Sequence, residues 1–218
     1  MTRRILIGCL ALLCALLPFA SAVTVAAESG VHHVSMAFQS TRESNYRIPN
    51  AVATKDGTVL LFANDRGVTS SDASAQQALS VSISTDGVNF SAPRAILSKP
   101  GWTYVLGSLV YDAETNKVLV IYSGLPRSAE AMEEFGKIPP ADREPTGMSI
   151  VENDYCCETW AQRTAYFPAV TEPPYMAPGT HGCNTGIQLT RGEYAGRLVI
   201  PGLLSTSNEA GMKNQIPT

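Results

Sequence analysis

The sequence predicts an all-β fold, on two observations. Short runs of β-branched and apolar residues recur between turn residues, and no long segment carries helical periodicity. Only Ser128 to Phe135 reads as helical, with Ala-Glu-Ala-Met-Glu-Glu in its middle, and it has the look of a loop insertion. Many short strands with regular turns fit a sandwich, a barrel or a propeller, and periodicity does not choose among them.

The first segment lies outside the fold. Arg3 and Arg4 precede an apolar run from Ile5 to Ala20, and Ala20-Ser21-Ala22 has the small-x-small form of a cleavage site. Residues 1–22 therefore read as a secretory signal peptide. The run is short for a membrane anchor, Pro18 interrupts it, and no second span follows, so no integral membrane contact is expected. Removing residues 1–22 from the 218-residue chain leaves 196, takes out two arginines and no acid, and moves the formal charge from −3 to −5. Residues 23–218 can bury a substantial core as one domain. A mildly acidic surface gives no reason to expect nucleic acid as a partner.

Export places the chain in a secreted or periplasmic setting, where disulfides persist. Cys9 and Cys14 leave with the signal segment, and Cys156, Cys157 and Cys183 remain. Neighbouring cysteines rarely bridge each other. One of the pair bonded to Cys183, and three free thiols, are both open. His32 and His33 are adjacent near the mature start and His181 stands alone near Cys183, so no metal-ligand spacing appears and no cofactor is expected.

The elements then follow in order. Arg47 stands at a strand start. Lys55-Asp56-Gly57 is an Asp-Gly turn leading into a strand from Thr58 to Ala63. Leu79 to Ser84 alternates apolar and polar residues, as a half-buried strand does. Leu109-Val110-Tyr111 and Val118 to Tyr122 flank a turn from Asp112 to Lys117. The stretch from Lys137 to Gly182 is rich in Pro, Gly and charge, and no element is assigned there. Arg197 to Ile200 is a further strand, ended by Pro201-Gly202. No Gly-x-Ser-x-Gly elbow occurs, which leaves Ser-His-Asp hydrolase chemistry unsupported.

The turn at Ser84-Thr85-Asp86-Gly87-Val88-Asn89-Phe90 carries more detail. Its aspartate can accept hydrogen bonds from the turn's own N–H groups, Gly87 permits positive φ, and Phe90 can plug the layer beneath. Any Asp-Gly hairpin would do the same. Placed after Tyr46-Arg47-Ile48-Pro49, Asn64-Asp65-Arg66 and Asp72-Ala73, it resembles the Asp box of the exo-α-sialidase (neuraminidase) family of bacterial secreted type. Thr185-Gly186-Ile187-Gln188-Leu189 and Gly196-Arg197-Leu198-Val199-Ile200-Pro201-Gly202 resemble a later stretch of the same family. The match covers roughly residues 44 to 93 and 181 to 202, and is poor between them. Ser108 departs from the Asn or Asp that family members often carry near there, and a degenerate second box around Asp154 to Trp160 is broken by Cys156 and Cys157.

The resemblance implies a six-bladed β-propeller of sialidase type. At roughly fifty residues per four-stranded blade, about three to four blades fall within this chain. The expectation is thus the N-terminal portion of a sialidase propeller domain over residues 23–218. The implied activity is hydrolysis of terminal α-linked sialic acid, with sialylated glycans, glycoproteins or glycolipids as partners and no cofactor. The substrate carries a carboxylate on its anomeric carbon, which suits the planar, two-pronged guanidinium of arginine. Arg47 takes that role in the resemblance, and Arg66 would line the same pocket, although a solvated or ion-paired structural arginine is equally open. Asp72, in a small polar loop, would be the general acid that protonates the departing oxygen, against the alternative of one more exposed loop aspartate. The family's nucleophile is a tyrosine, which avoids setting two negative charges together at the anomeric carbon. That tyrosine, its partner glutamate and two further arginines are not assigned in this chain. A sialic-acid-binding propeller without catalysis, an Asp-box interaction module and a trans-sialidase remain as alternatives.

Overall fold

Two antiparallel four-strand meanders carry most of the described chain. The structure, a computed structural model, describes residues 34–72, 74, 76–139, 147–154, 159–163, 175–179, 184–201, 203–207 and 213–217. Residues 1–22, read from the sequence as a signal peptide, and Cys156, Cys157 and Cys183 lie outside the described residues. The first meander runs β1 (Tyr46–Ala53), β2 (Val59–Asp65), β3 (Ala78–Ser84) and β4 (Arg94–Leu97), paired in that order. The second runs β5 (Trp102–Asp112), β6 (Lys117–Pro126), β7 (Gly147–Asp154) and β8 (Ala161–Arg163). Such a four-stranded antiparallel unit is what a propeller blade is made of. Beyond them, β9 (Tyr175–Gly179) belongs to a separate three-stranded sheet. Next, β10 (Asn184–Thr185) adds to β5 in parallel, and β11 (Ile187–Gln188) pairs with β12 (Leu198–Val199). The sheet containing β9 is completed by β13 (Leu203–Ser207) and β14 (Lys213–Pro217).

Aspartates shape three of the hairpins by the same local chemistry. At the β1–β2 turn Asp56 accepts from the Thr58 amide at 3.3 Å and from the Thr54 hydroxyl. At the β3–β4 turn Asp86 Oδ1 accepts from the amides of Val88 at 2.8 Å and Asn89 at 2.7 Å, and from the Ser84 hydroxyl at 2.9 Å. Gly87 takes φ +72°, where a Cβ would be strained. The hydrogen bonding expected of this turn is therefore present. The Asn89 amide, joined by the Asn89 side chain, the Val88 amide and the Ser84 hydroxyl, holds the Asp86 carboxyl well below its ordinary value. At the β5–β6 turn Asp112 accepts from the Glu114 amide at 3.0 Å, the Thr115 hydroxyl at 2.6 Å and Gln188 Nε2 at 2.8 Å. Burial pushes its carboxyl upward, but those bonds outweigh it and the net displacement is downward.

Packing proceeds in layers, because successive residues of a strand point to opposite faces. Val118, Val120 and Tyr122 of β6 join one core with Trp102, Tyr104 and Leu106 of β5 and with Leu60, Phe62, Leu79 and Val81 of the first meander. Leu119 and Ile121 point the other way, meeting Val110, Ile150, Leu198 and Ile200. The centre of the second meander is thus buried on both faces, with the first meander on one side and the β11–β12 hairpin on the other, while β8 is exposed. Each of these fully buried aliphatic or aromatic side chains contributes about 1.5–3 kcal/mol in transfer free energy. Gly186 is squeezed between hairpin and meander: a Cβ there would lie 2.8 Å from the Val199 carbonyl oxygen and 3.1 Å from the Val110 Cβ.

The one helix among the described residues, α1 (Ala129–Lys137), sits between β6 and β7 as an insertion. Ser128 caps it by accepting from the Ala131 amide at 3.1 Å. Ala131 is buried, and the Phe135 ring meets Trp102 edge-on at 5.6 Å. The expected strand from Arg197 to Ile200 is shorter than the sequence suggests, with only Leu198 and Val199 paired. The unassigned stretch after Lys137 holds β7, β8 and β9. Its β7 is a strand because Ile150 and Val151 serve two different cores, a choice that composition alone does not announce.

Candidate functional site

The site begins with a distortion in β1. Tyr46 pairs with Asp65 and Arg47 with Asn64, but the register slips before Asn50, which pairs with Phe62. Ile48 and Pro49 together face one residue of β2, a bulge. Pro49 has no amide to give the ladder, and Ile48 takes φ +56°, a region that β-branched residues rarely enter. Bulges bend a strand and re-aim its side chains. Here the bulge follows directly on Arg47, which is exposed and lies across from Asn64, two positions from Arg66.

Asn64 is fully buried and ties the two meanders together. Its side-chain amide donates to the Tyr104 carbonyl, and its oxygen accepts from the Leu106 amide at 3.1 Å. The edge of β5 that does not face β6 is thereby satisfied, helped by Gln77. The Gln77 amide donates to the Trp102 carbonyl at 3.0 Å, and its carbonyl accepts from the Tyr104 amide at 3.0 Å. A bare edge strand presents unpaired backbone groups, so this covering matters. Farther along, Asn50 Nδ2 donates to the Asn184 carbonyl at 2.6 Å, which fixes β1 to β10. Ser108 is buried at a bulge in β5, its hydroxyl donating to the Pro201 carbonyl at 3.0 Å.

Arg66 and Asp72 come together. Arg66 is 3% exposed and Asp72 88%, and the guanidinium Nη2 pairs with Asp72 Oδ1. Nη1 donates to the Ser70 carbonyl at 2.8 Å, while Nε has no partner among the described residues. Arg66 is ion-paired and buried, and it also forms part of a cleft wall. That cleft, about 560 Å³ in volume, is also lined by Glu43, Asp65, Gly67, Val68 and Thr69. Arg47 and Asp72 do not line it. With Oδ1 accepting from Arg66, a proton for delivery would sit on Asp72 Oδ2, since an arginine donates and does not accept.

The residues that hold this loop were not singled out from the sequence. Asn45 Nδ2 donates to the Gly67 carbonyl at 2.7 Å, Gln77 Nε2 to the Asp72 carbonyl at 3.1 Å, and the Thr103 hydroxyl to the Ser74 carbonyl at 2.9 Å. For Asn64 a signal existed. It shares a face with Leu60 and Phe62 by strand alternation, so a polar residue there had to be hydrogen-bonded in the core. Thr103 gave none, because its partner Ser74 lies in the other meander, and Gln77 gave none, because its backbone is held by β5.

The architecture is one shared with solved sialidase structures. A sialidase described as Hadza microbial is 18% identical, with a TM-score of 0.55 over 79% of this chain and 34% of its own. The intramolecular trans-sialidase of Ruminococcus gnavus, solved with oseltamivir carboxylate, is 15% identical, with a TM-score of 0.59 over 84% of this chain and 63% of its own. A sialidase from Streptococcus pneumoniae is 12% identical, with a TM-score of 0.57 over 84% of this chain and 46% of its own. At these identities the likeness shows the fold. The chain spans between 34% and 63% of the length of these structures. No family model and no curated protein matches the sequence.

Proposed function

We propose that this chain forms part of an exported exo-α-sialidase with a propeller catalytic domain, hydrolysing terminal α-linked sialic acid from glycoconjugates. The observation that carries the reading is the Arg66–Asp72 pair, placed one strand from Arg47 in a fold whose solved neighbours include sialidases. In this reading Arg47 binds the substrate carboxylate through two parallel charge-assisted hydrogen bonds. Arg66 stands beside the sugar in the cleft wall, and Asp72 swings from Arg66 to protonate the glycosidic oxygen. The turn at Asp86 is a structural Asp box in this proposal, and residues 1–22 direct export. N-terminal sequencing of the secreted protein, expected to begin at Val23, checks the last point.

The test is release of sialic acid from a natural sialoside and from an aryl sialoside by the full-length protein. Asp72→Asn is expected to lower turnover of the natural substrate by roughly 10²-fold or more while sparing the aryl one, whose leaving group needs little protonation. Arg47→Ala is expected to weaken binding of both. No release by the wild-type protein from sialosides of several linkages would overturn the proposal. One neighbour sharing the fold is named an intramolecular trans-sialidase, so product mass is measured too, because hydrolysis adds water and transfer does not.

A further inference from the structure

We propose that Gln77 is the positioning residue for Asp72, an inference that rests on Asp72 acting as the acid. An exposed aspartate in a loop of small polar residues has many accessible orientations. Productive proton donation needs few of them. The carboxylate itself cannot be tightly held if it is to exchange Arg66 for substrate. What can be fixed is the main chain beneath it, and Gln77 fixes it: its side-chain Nε2 donates to the Asp72 carbonyl at 3.1 Å.

The anchor is rigid for reasons that lie outside the loop. Gln77 is 3% exposed, so its amide has no water to turn to. Its backbone is bonded on both sides to β5, through the Trp102 carbonyl and the Tyr104 amide. Directly across from Gln77 on β5, the Thr103 hydroxyl holds the loop at the Ser74 carbonyl, and Ser74 in turn donates to the Arg66 carbonyl at 3.3 Å. The loop belongs to the first meander in sequence, yet its direction is set from the second. Arg66 grips the Asp72 side chain in the resting state, and Gln77 keeps its backbone in place when that grip opens.

Gln77→Met keeps the volume and the backbone bridge to β5 but removes the donor, and Gln77→Glu puts an acceptor against the Asp72 carbonyl. Two readouts are taken on the full-length protein. The first is kcat on a natural and on an aryl sialoside. A roughly 10- to 100-fold fall in kcat on the natural substrate, with KM and aryl turnover little changed, is expected of a displaced acid. Equal falls on both substrates, in proportion to folded protein, would overturn the inference. The second is amide hydrogen exchange. Faster exchange in residues 69–74, with β2 and β3 still protected, is expected in both variants, and unchanged exchange in that loop would overturn the inference. If the wild-type protein hydrolyses neither substrate, the proposed function fails by itself, and the exchange measurement still decides whether Gln77 holds the loop.

Discussion

At the scale of single residues, the asymmetry of the Arg66–Asp72 pair has an energetic consequence. An exposed aspartate is ordinarily replaceable within about 0.5 kcal/mol. Here its partner is a buried guanidinium, and Asp72→Ala leaves that charge with the Ser70 carbonyl alone on one nitrogen. The loss is discounted because Asp72 itself faces water, and about 1 kcal/mol is expected. Arg66→Met in the Asp72→Ala background should recover it by removing the buried charge. Denaturant midpoints of the two single variants and the double variant measure the coupling. A Asp72→Ala variant as stable as wild type would show that water already solvates the guanidinium. Ile48 makes a related point: its left-handed backbone is stored strain beside Arg47, at a position where propensity rules would not place it.

At the scale of an element, the β3–β4 turn links charge to stability. The Asp86 carboxyl is held below its ordinary value of 3.8, so its ionised form is favoured in the folded state. A depressed carboxyl contributes stability that is fully present above the unfolded value and is lost as pH falls through the folded one. Asp86→Asn keeps an acceptor oxygen but removes the charge. The melting temperature of the variant should therefore lie farthest below wild type near neutral pH, and the gap should close as pH falls below 3.8. A gap independent of pH would show that geometry, not charge, stabilises the turn. The hairpin is local, and its chemistry is legible in seven consecutive residues.

At the scale of the whole molecule, the described meanders are joined by an apolar layer and by a few buried polar links. Asn64 is the central link, replacing a missing strand along part of the β5 edge. Asn64→Leu would leave the Tyr104 carbonyl and the Leu106 amide buried without that partner. At about 1–3 kcal/mol for each group that loses its partner, a loss of roughly 2–6 kcal/mol is expected. That is comparable to deleting a large core side chain. Urea unfolding of the variant measures it, and a loss below about 1 kcal/mol would mean that water replaces the amide.

The sequence by itself determined the all-β class, the turns at Asp56, Asp86 and Asp112, the short helix and the order of the candidate residues. Each depends on neighbours a few positions apart, where alternation, turn chemistry and capping act. The sequence also placed Arg47, Arg66 and Asp72 as candidates, through the spacing of their motifs. Only the tertiary structure decided that Arg66 is buried and clasps Asp72, that Arg47 does not line the cleft, that Asn64 ties β2 to β5, and that Asn45, Gln77 and Thr103 hold the loop. Those contacts join residues up to 42 positions apart. A buried amide's partner is chosen by which strand packs against it, and that is settled by the sum of the core contacts, not by any local pattern.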